Sequence, residues 1–143
     1  MTTAPMRCRH ISMPIARPYS DVSAFLMKPE NFPRWASGLG EAFDRVSDLE
    51  WAANGPLGRI AIRFTPANPH GVLDHEVTLP DGLRVLNPMR VLVNGCCSEV
   101  VFTLFQRPGM PDALFTRDVA WVRRDLTTLK LLLESDDAEI KRR

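Results

Sequence analysis

The 143-residue chain has no apolar run long enough to cross a bilayer, no block of five or six like charges, and a net charge of only +1. The first absence argues against membrane insertion. The other two leave neither nucleic acid nor an anionic membrane an electrostatic footprint to bind. Cysteine is scarce as well: Cys8, Cys96 and Cys97 form neither a C-x-x-C half-site nor an even set, and adjacent cysteines rarely bridge. Reduced thiols fit a reducing compartment. The opening MTTAPMRCRH runs into charge where a signal peptide would be apolar, so the expected address is the cytoplasm. There is no glycine-rich phosphate loop, serine-centred elbow or dinucleotide fingerprint, and no cofactor is expected. His10, His70, His75 and the cysteines show no metal-ligand spacing, so no metal is expected either.

What is present is an ordinary globular composition, 45% hydrophobic and 24% charged, in a chain that buries roughly 70% of its unfolded surface. With no repeat and no linker-like stretch, the economical organisation is one domain, 1–143, ending in a short charged tail, 135–143, whose acids and bases largely cancel. Alternation in RCRHISMPI predicts a first strand over 7–15, with Pro14 marking an edge or an end. Val22, Phe25 and Leu26 predict a short helix after Pro18. PENFPRW predicts another, stopped by Gly38 and Gly40. From about Val46 to Gln106 the period is two, broken by turn sequences, which predicts antiparallel strands. From Pro111, the spacing of Phe115, Val119, Val122, Leu126, Leu129 and Leu133 predicts about six turns of helix.

Two turns permit a register count. LPDGL reads as a type I turn with a glycine bulge and pairs Val77 with Val85, His75 with Asn87 and Leu73 with Met89. VNGC reads as an Asn-Gly turn and pairs Val93 with Cys96, Val91 with Ser98 and Arg90 with Glu99. Both counts put His75, Asn87, Met89 and Phe102 on the core face and send Asp74 and Glu76 to solvent. Pro88 cannot donate to a ladder and threatens a bulge that would flip side chains beside it.

The order of elements, with ISMPIARPYSDVSAFLMKPENFPRW, GVLDHEV, LPDG, RVLVNG, EVVFTLFQRPGM and DVAWVRRDLTTLKLLLE, resembles the START-like (SRPBCC) superfamily, in particular bacterial members of its polyketide cyclase/dehydrase and lipid-transport group. The resemblance spans about residues 7–134. It implies an α+β helix-grip fold: a curved antiparallel sheet of about six or seven strands around a long C-terminal helix, with two short helices after strand one. It also implies a mostly apolar cavity between helix and sheet for a hydrophobic or amphipathic small molecule, lipid-like or polyketide-like.

The residues expected to meet such a ligand are His75 and Asn87 as polar contacts, and Trp35, Met89, Phe102, Val122 and Leu126 as walls. His75 is also the single candidate acid or base, should the cavity belong to a cyclase or dehydratase acting on a carbonyl held by Asn87. Its plainer role is a core histidine bonded to Asn87 or to a backbone carbonyl. Asp118 and Asp125 flank the helix seam, at the expected border of the cavity mouth. They are about 10.5 Å apart along the axis, too far to share a proton. A third reading is an accessory protein-interaction domain with a vestigial pocket. The outer-face Leu86, Leu92, Val101 and Phe105 would serve it, and they also leave a homodimer open.

Overall fold

Alternation in the first strand is realised as expected: β1 (Cys8–Ile15) buries Ile11 and Ile15 on one face. A computed structural model of the chain describes residues 4–38, 42–56 and 58–135. Pro14 is tolerated because β1 is an edge strand, paired with β8 alone. After Pro18, α1 (Tyr19–Leu26) buries Val22 and Phe25. A 3-10 turn at Pro29–Asn31 leads into α2 (Phe32–Trp35). Buried Asn31 donates its side-chain amide to the Phe25 carbonyl at 3.0 Å, tying the two helices. The helix ends at Trp35, before Gly38, while Gly40, expected to stop it, lies outside the described residues.

The remaining strands are β2 (Phe43–Arg45), β3 (Glu50–Gly55), β4 (Gly58–Phe64), β5 (His75–Thr78), β6 (Arg84–Asn87), β7 (Met89–Asn94) and β8 (Cys97–Phe105). Strands β2 to β6 form one antiparallel sheet in chain order, and β1, β8 and β7 form a second. The described residues thus hold eight strands in two sheets. Pro88 divides what periodicity reads as one strand into β6 and β7, and β2 starts before the alternating region. The helix α3 (Asp112–Glu134) closes the described chain; all of the expected tail except Ser135 lies outside it.

The first hairpin has the counted register, Val77 opposite Val85 and His75 opposite Asn87, with Leu79 N–H donating to Leu83 at 2.9 Å. The second hairpin corrects its count by two residues: Met89 faces Phe102, Val91 faces Val100 and Asn94 faces Cys97. The turn residues are Gly95 and Cys96, with Gly95 at φ 61°. An Asn-Gly turn of the expected kind needs positive φ at both residues, whereas a glycine-first turn needs it only at Gly95. A slide of two preserves side-chain faces, so the core face stands. The pairing of Arg90 with Glu99 does not: Arg90 faces Val101, and Glu99 accepts from Asn94 at 2.9 Å.

Pro88 breaks the ladder without flipping it. The offset that pairs His75 with Asn87 also bridges Val72 to Arg90, and Leu73 N–H donates to the Met89 carbonyl at 2.9 Å. Asp74 stands opposite Pro88 and is not the solvent-facing residue that alternation predicts. Its carboxylate accepts the Met89 N–H at 2.9 Å and clasps the Arg90 guanidinium, with the side chain only 28% exposed. Glu76 is half-buried rather than free in solvent.

Helix α3 packs chiefly along β1, and its buried seam of Phe115, Val119, Leu126, Leu129 and Leu133 joins Ile11, Ile15, Val91 and Val100 in the core. Its C-terminal end is tied down. Arg17 donates to the Leu133 carbonyl at 2.8 Å, Lys130 donates to the Pro14 carbonyl at 2.8 Å, and Ala16 N–H reaches Glu134 at 2.7 Å. Lys130, which also donates to Glu134 at 2.8 Å, and then the Ala16 N–H hold the Glu134 carboxyl below its ordinary value.

Asp74→Ala removes a half-buried charged acceptor and strands the Met89 N–H, so it is expected to destabilise the fold by about 1–2 kcal/mol, the exposed share of the ion pair adding little. Arg90→Ala should cost less than half as much. Urea unfolding of the two variants checks the order.

Candidate functional site

Between α3 and the five-stranded sheet lies a chamber of about 140 Å³. The α2 segment contributes Phe32, Trp35, Ala36 and Ser37; the strands contribute Ile60, Ile62, His75, Val77, Asn87 and Phe102; α3 contributes Val122 and Asp125. The chamber shares Val77, Asn87, Phe102 and Val122 with an open groove of about 330 Å³ that continues to Leu79, Leu104, Arg107, Asp118 and Trp121. Chamber and groove adjoin through these shared residues, a small and largely apolar interior beside a wider groove that carries charge. A larger depression on the outer sheet face holds Glu50, Arg63, Glu76 and Arg84. Two of those charges already satisfy each other, Arg63 donating to Glu50 at 2.8 Å.

Of the residues expected to meet a ligand, Trp35, His75, Asn87, Phe102 and Val122 converge on the chamber. Met89 and Leu126, 2% and 0% exposed, do not line it; both are packed into the core. Parity aims a side chain inward without saying where the core leaves space, which is why these two could not be separated from the others.

His75 is 4% exposed and ringed by aromatics, with centroid separations of 5.2 Å to Phe32, 5.7 Å to Phe102 and 6.2 Å to Phe64. Its Nδ1 lies 3.3 Å from the Leu73 carbonyl. A carbonyl can only accept, so in this bond Nδ1 carries the proton. Burial lowers the ring's pKa from 6.5 to about 4, against small opposing effects of Leu73 and Asp74. At neutral pH the ring is therefore uncharged, with Nε2 an unprotonated acceptor. Neither Nε2 nor the Asn87 side-chain amide has a hydrogen-bond partner among the described residues. Of the two partners expected for a core histidine, Asn87 or a backbone carbonyl, the ring takes the carbonyl.

Asp125 is a member of the site rather than of its border. The Ser37 hydroxyl donates to Oδ1 at 2.7 Å, Ser37 N–H donates to Oδ2 at 3.2 Å, and Trp121 Nε1–H donates to the Ser37 oxygen at 2.6 Å. Burial raises the Asp125 pKa, and the Ser37 bonds and Arg124 oppose it. Asp118 does sit in the mouth, where burial raises its pKa against Arg117 and Arg107. Ser37 left no signal in the sequence, because it acts through a partner 88 residues away.

The other candidates lie elsewhere. His10 meets the Thr103 hydroxyl at 2.9 Å, and His70 is exposed in the β4–β5 connection. Cys96 and Cys97 hold their sulfurs 3.6 Å apart at the β7–β8 turn. Among the described residues no cluster of three or more His, Cys, Asp or Glu could hold a metal ion, and no helix is long and apolar enough to cross a membrane.

No protein-family model matches the chain, and no curated protein matches it in sequence. Its structure does match. DynU16, from the dynemicin biosynthetic locus, superposes with a TM-score of 0.69 at 14% identity over 92% of this chain and 48% of that one, so the chain spans about half of DynU16. XoxI from Bacillus cereus gives 0.71 at 15% identity, covering 94% and 99% of the two chains. Aha1 from Colwellia psychrerythraea, solved as a dimer, gives 0.70 at 13%, covering 92% and 99%. At these identities the likeness establishes the fold, which is α+β helix-grip.

The buried neutral ring makes a pH prediction. Below pH 6.5 the unfolded chain protonates His75 while the native chain resists down to about 4. Stability held above pH 6.5 is therefore lost as pH falls toward 4, by about 3 kcal/mol at the end of that window. Urea melts at pH 7, 5.5 and 4 should show the loss, and in His75→Gln the same series should be flatter by about that amount.

Proposed function

We propose that the chain is a START-like (SRPBCC) domain, spanning 1–143, that binds a hydrophobic or amphipathic small molecule between α3 and the sheet. The observation that carries this reading is a pair of unpartnered polar groups, His75 Nε2 and the Asn87 amide, facing each other across the β5–β6 ladder in a chamber otherwise walled largely by apolar side chains. Polar groups that line a mostly apolar space and make no hydrogen bond within the described protein are the ones a ligand's polar end can engage, so this pair fits a site completed by a ligand. Trp35, Phe102 and Val122 supply apolar contact, and the groove takes whatever part of the ligand exceeds the chamber. A chamber on the order of 150 Å³ holds one benzene-sized ring.

The cyclase or dehydratase reading uses the same space with His75 as acid or base. It is weaker, because a ring whose pKa lies near 4 has no proton to donate at neutral pH and draws one only feebly. DynU16, by its description a protein of a biosynthetic locus, keeps that reading in view for the fold. We place the protein in the cytoplasm, where Cys8, Cys96 and Cys97, all unbridged, would stay reduced. Self-association through the exposed Leu86 and Leu92 of the outer sheet face accords with the dimeric Aha1 structure.

Val122 borders both chamber and groove, half-buried, so Val122→Trp should fill the junction. Fluorescence of the neutral probe N-phenyl-1-naphthylamine is expected to rise on binding wild type and to stay at baseline with Val122→Trp, while thermal unfolding shifts by only a few degrees. Equal binding by both proteins would move the site out of this cavity.

A further inference from the structure

The chamber is selective in charge, and the selection can be read from what does and does not line it. No lysine or arginine is among its lining residues; the nearest cation in the connected space is Arg107, out in the groove. One carboxylate, Asp125, forms part of its wall, and both its oxygens already accept from Ser37. His75 has committed Nδ1–H to Leu73, so the side of the ring that remains offers only a lone pair. Phe32 and Phe102 stand edge-to-face against that ring and offer no donor. Ser37 has its hydroxyl engaged with Asp125 and Trp121, which leaves the Asn87 amide as the uncommitted lining group that can donate as well as accept.

We propose, resting on the binding reading above, that the head entering the chamber is a neutral hydrogen-bond donor on a compact ring, an alcohol or phenol, and that carboxylates are excluded from it. The hydroxyl donates to His75 Nε2 and accepts from the Asn87 amide, satisfying both unpartnered groups at once. A carboxylate in the same place meets a lone pair on one side and the Asp125 carboxylate on another, with no cation to offset its desolvation. A free fatty acid or other amphiphilic acid therefore binds, if at all, in the reverse sense, with its acid group at Arg107 in the groove. Ligand orientation follows head-group charge.

Four ligands that share one tail and one ring test this: 4-hexylphenol, 4-hexylanisole, hexylbenzene and 4-hexylbenzoate, titrated at pH 7.5 by quenching of the tryptophans or by displacement of N-phenyl-1-naphthylamine. The phenol is expected to bind about tenfold tighter than the anisole, the gain from one hydrogen bond to a buried acceptor. Benzoate should bind more weakly than hexylbenzene. In His75→Phe the ratio of phenol to anisole affinity should fall to about one; in Asp125→Asn the penalty on benzoate should shrink. Comparable affinity for phenol and anisole in wild type, or benzoate as the tightest ligand, overturns the head-group proposal while leaving the binding site intact. Failure of all four to bind overturns both. The wild-type comparison needs no variant, so poor folding of a substituted protein does not decide the outcome.

Discussion

A single missing amide hydrogen organises this protein. Pro88 cannot donate to the ladder, so the strand that would have run from Arg84 to Asn94 is cut into β6 and β7, and one curved sheet becomes two. The cut leaves the Met89 N–H in need of an acceptor, and Asp74, directly opposite Pro88, supplies it while holding Arg90. His75 and Asn87 are the last pair before the break. Beside it, the inner face of the five-stranded sheet and α3 enclose space that the core does not fill, and in that space the ring and the amide are left without partners.

Much of this was legible in the sequence wherever a local rule governed. Period two and the LPDG turn put His75 and Asn87 inward and opposite one another, and the heptad-like spacing of α3 marked its buried seam. The β7–β8 register slipped because the string VNGC admits two tight turns that both place glycine at positive φ, and only the backbone at Asn94 chooses between them. The role of Asp74 was hidden because alternation assigns a face and takes no account of a donor missing across the ladder. Asp125 read as a boundary residue because a helical wheel cannot register Ser37, a distant hydroxyl that draws the carboxylate inward. Met89 and Leu126 share the inward face of the true lining residues and differ from them only in being fully packed, a property of the assembled volume and of no sequence window.

Two titratable groups share the chamber wall, and burial displaces them in a matched way: the imidazole gives up its proton more readily than in water, and the carboxyl keeps its own more firmly. Both shifts disfavour charge. His75 Nε2 and the Asn87 amide stand in that same wall as polar groups at defined points, the feature on which the binding proposal rests.

The mooring of α3 has a mechanical side. Three bonds at its last turns, from Arg17, Lys130 and Ala16, join it to the corner between β1 and α1, while its first turn is held by the buried ring of Phe115 and by Gln106, which donates to Asp112. A rod held near both ends keeps its middle in place. Asp118, Trp121 and Val122 lie on the span between those two anchors, over the groove and chamber; Leu129 and Leu133 lie near its far end. The height of the chamber's roof is thus set by contacts that lie outside the chamber itself.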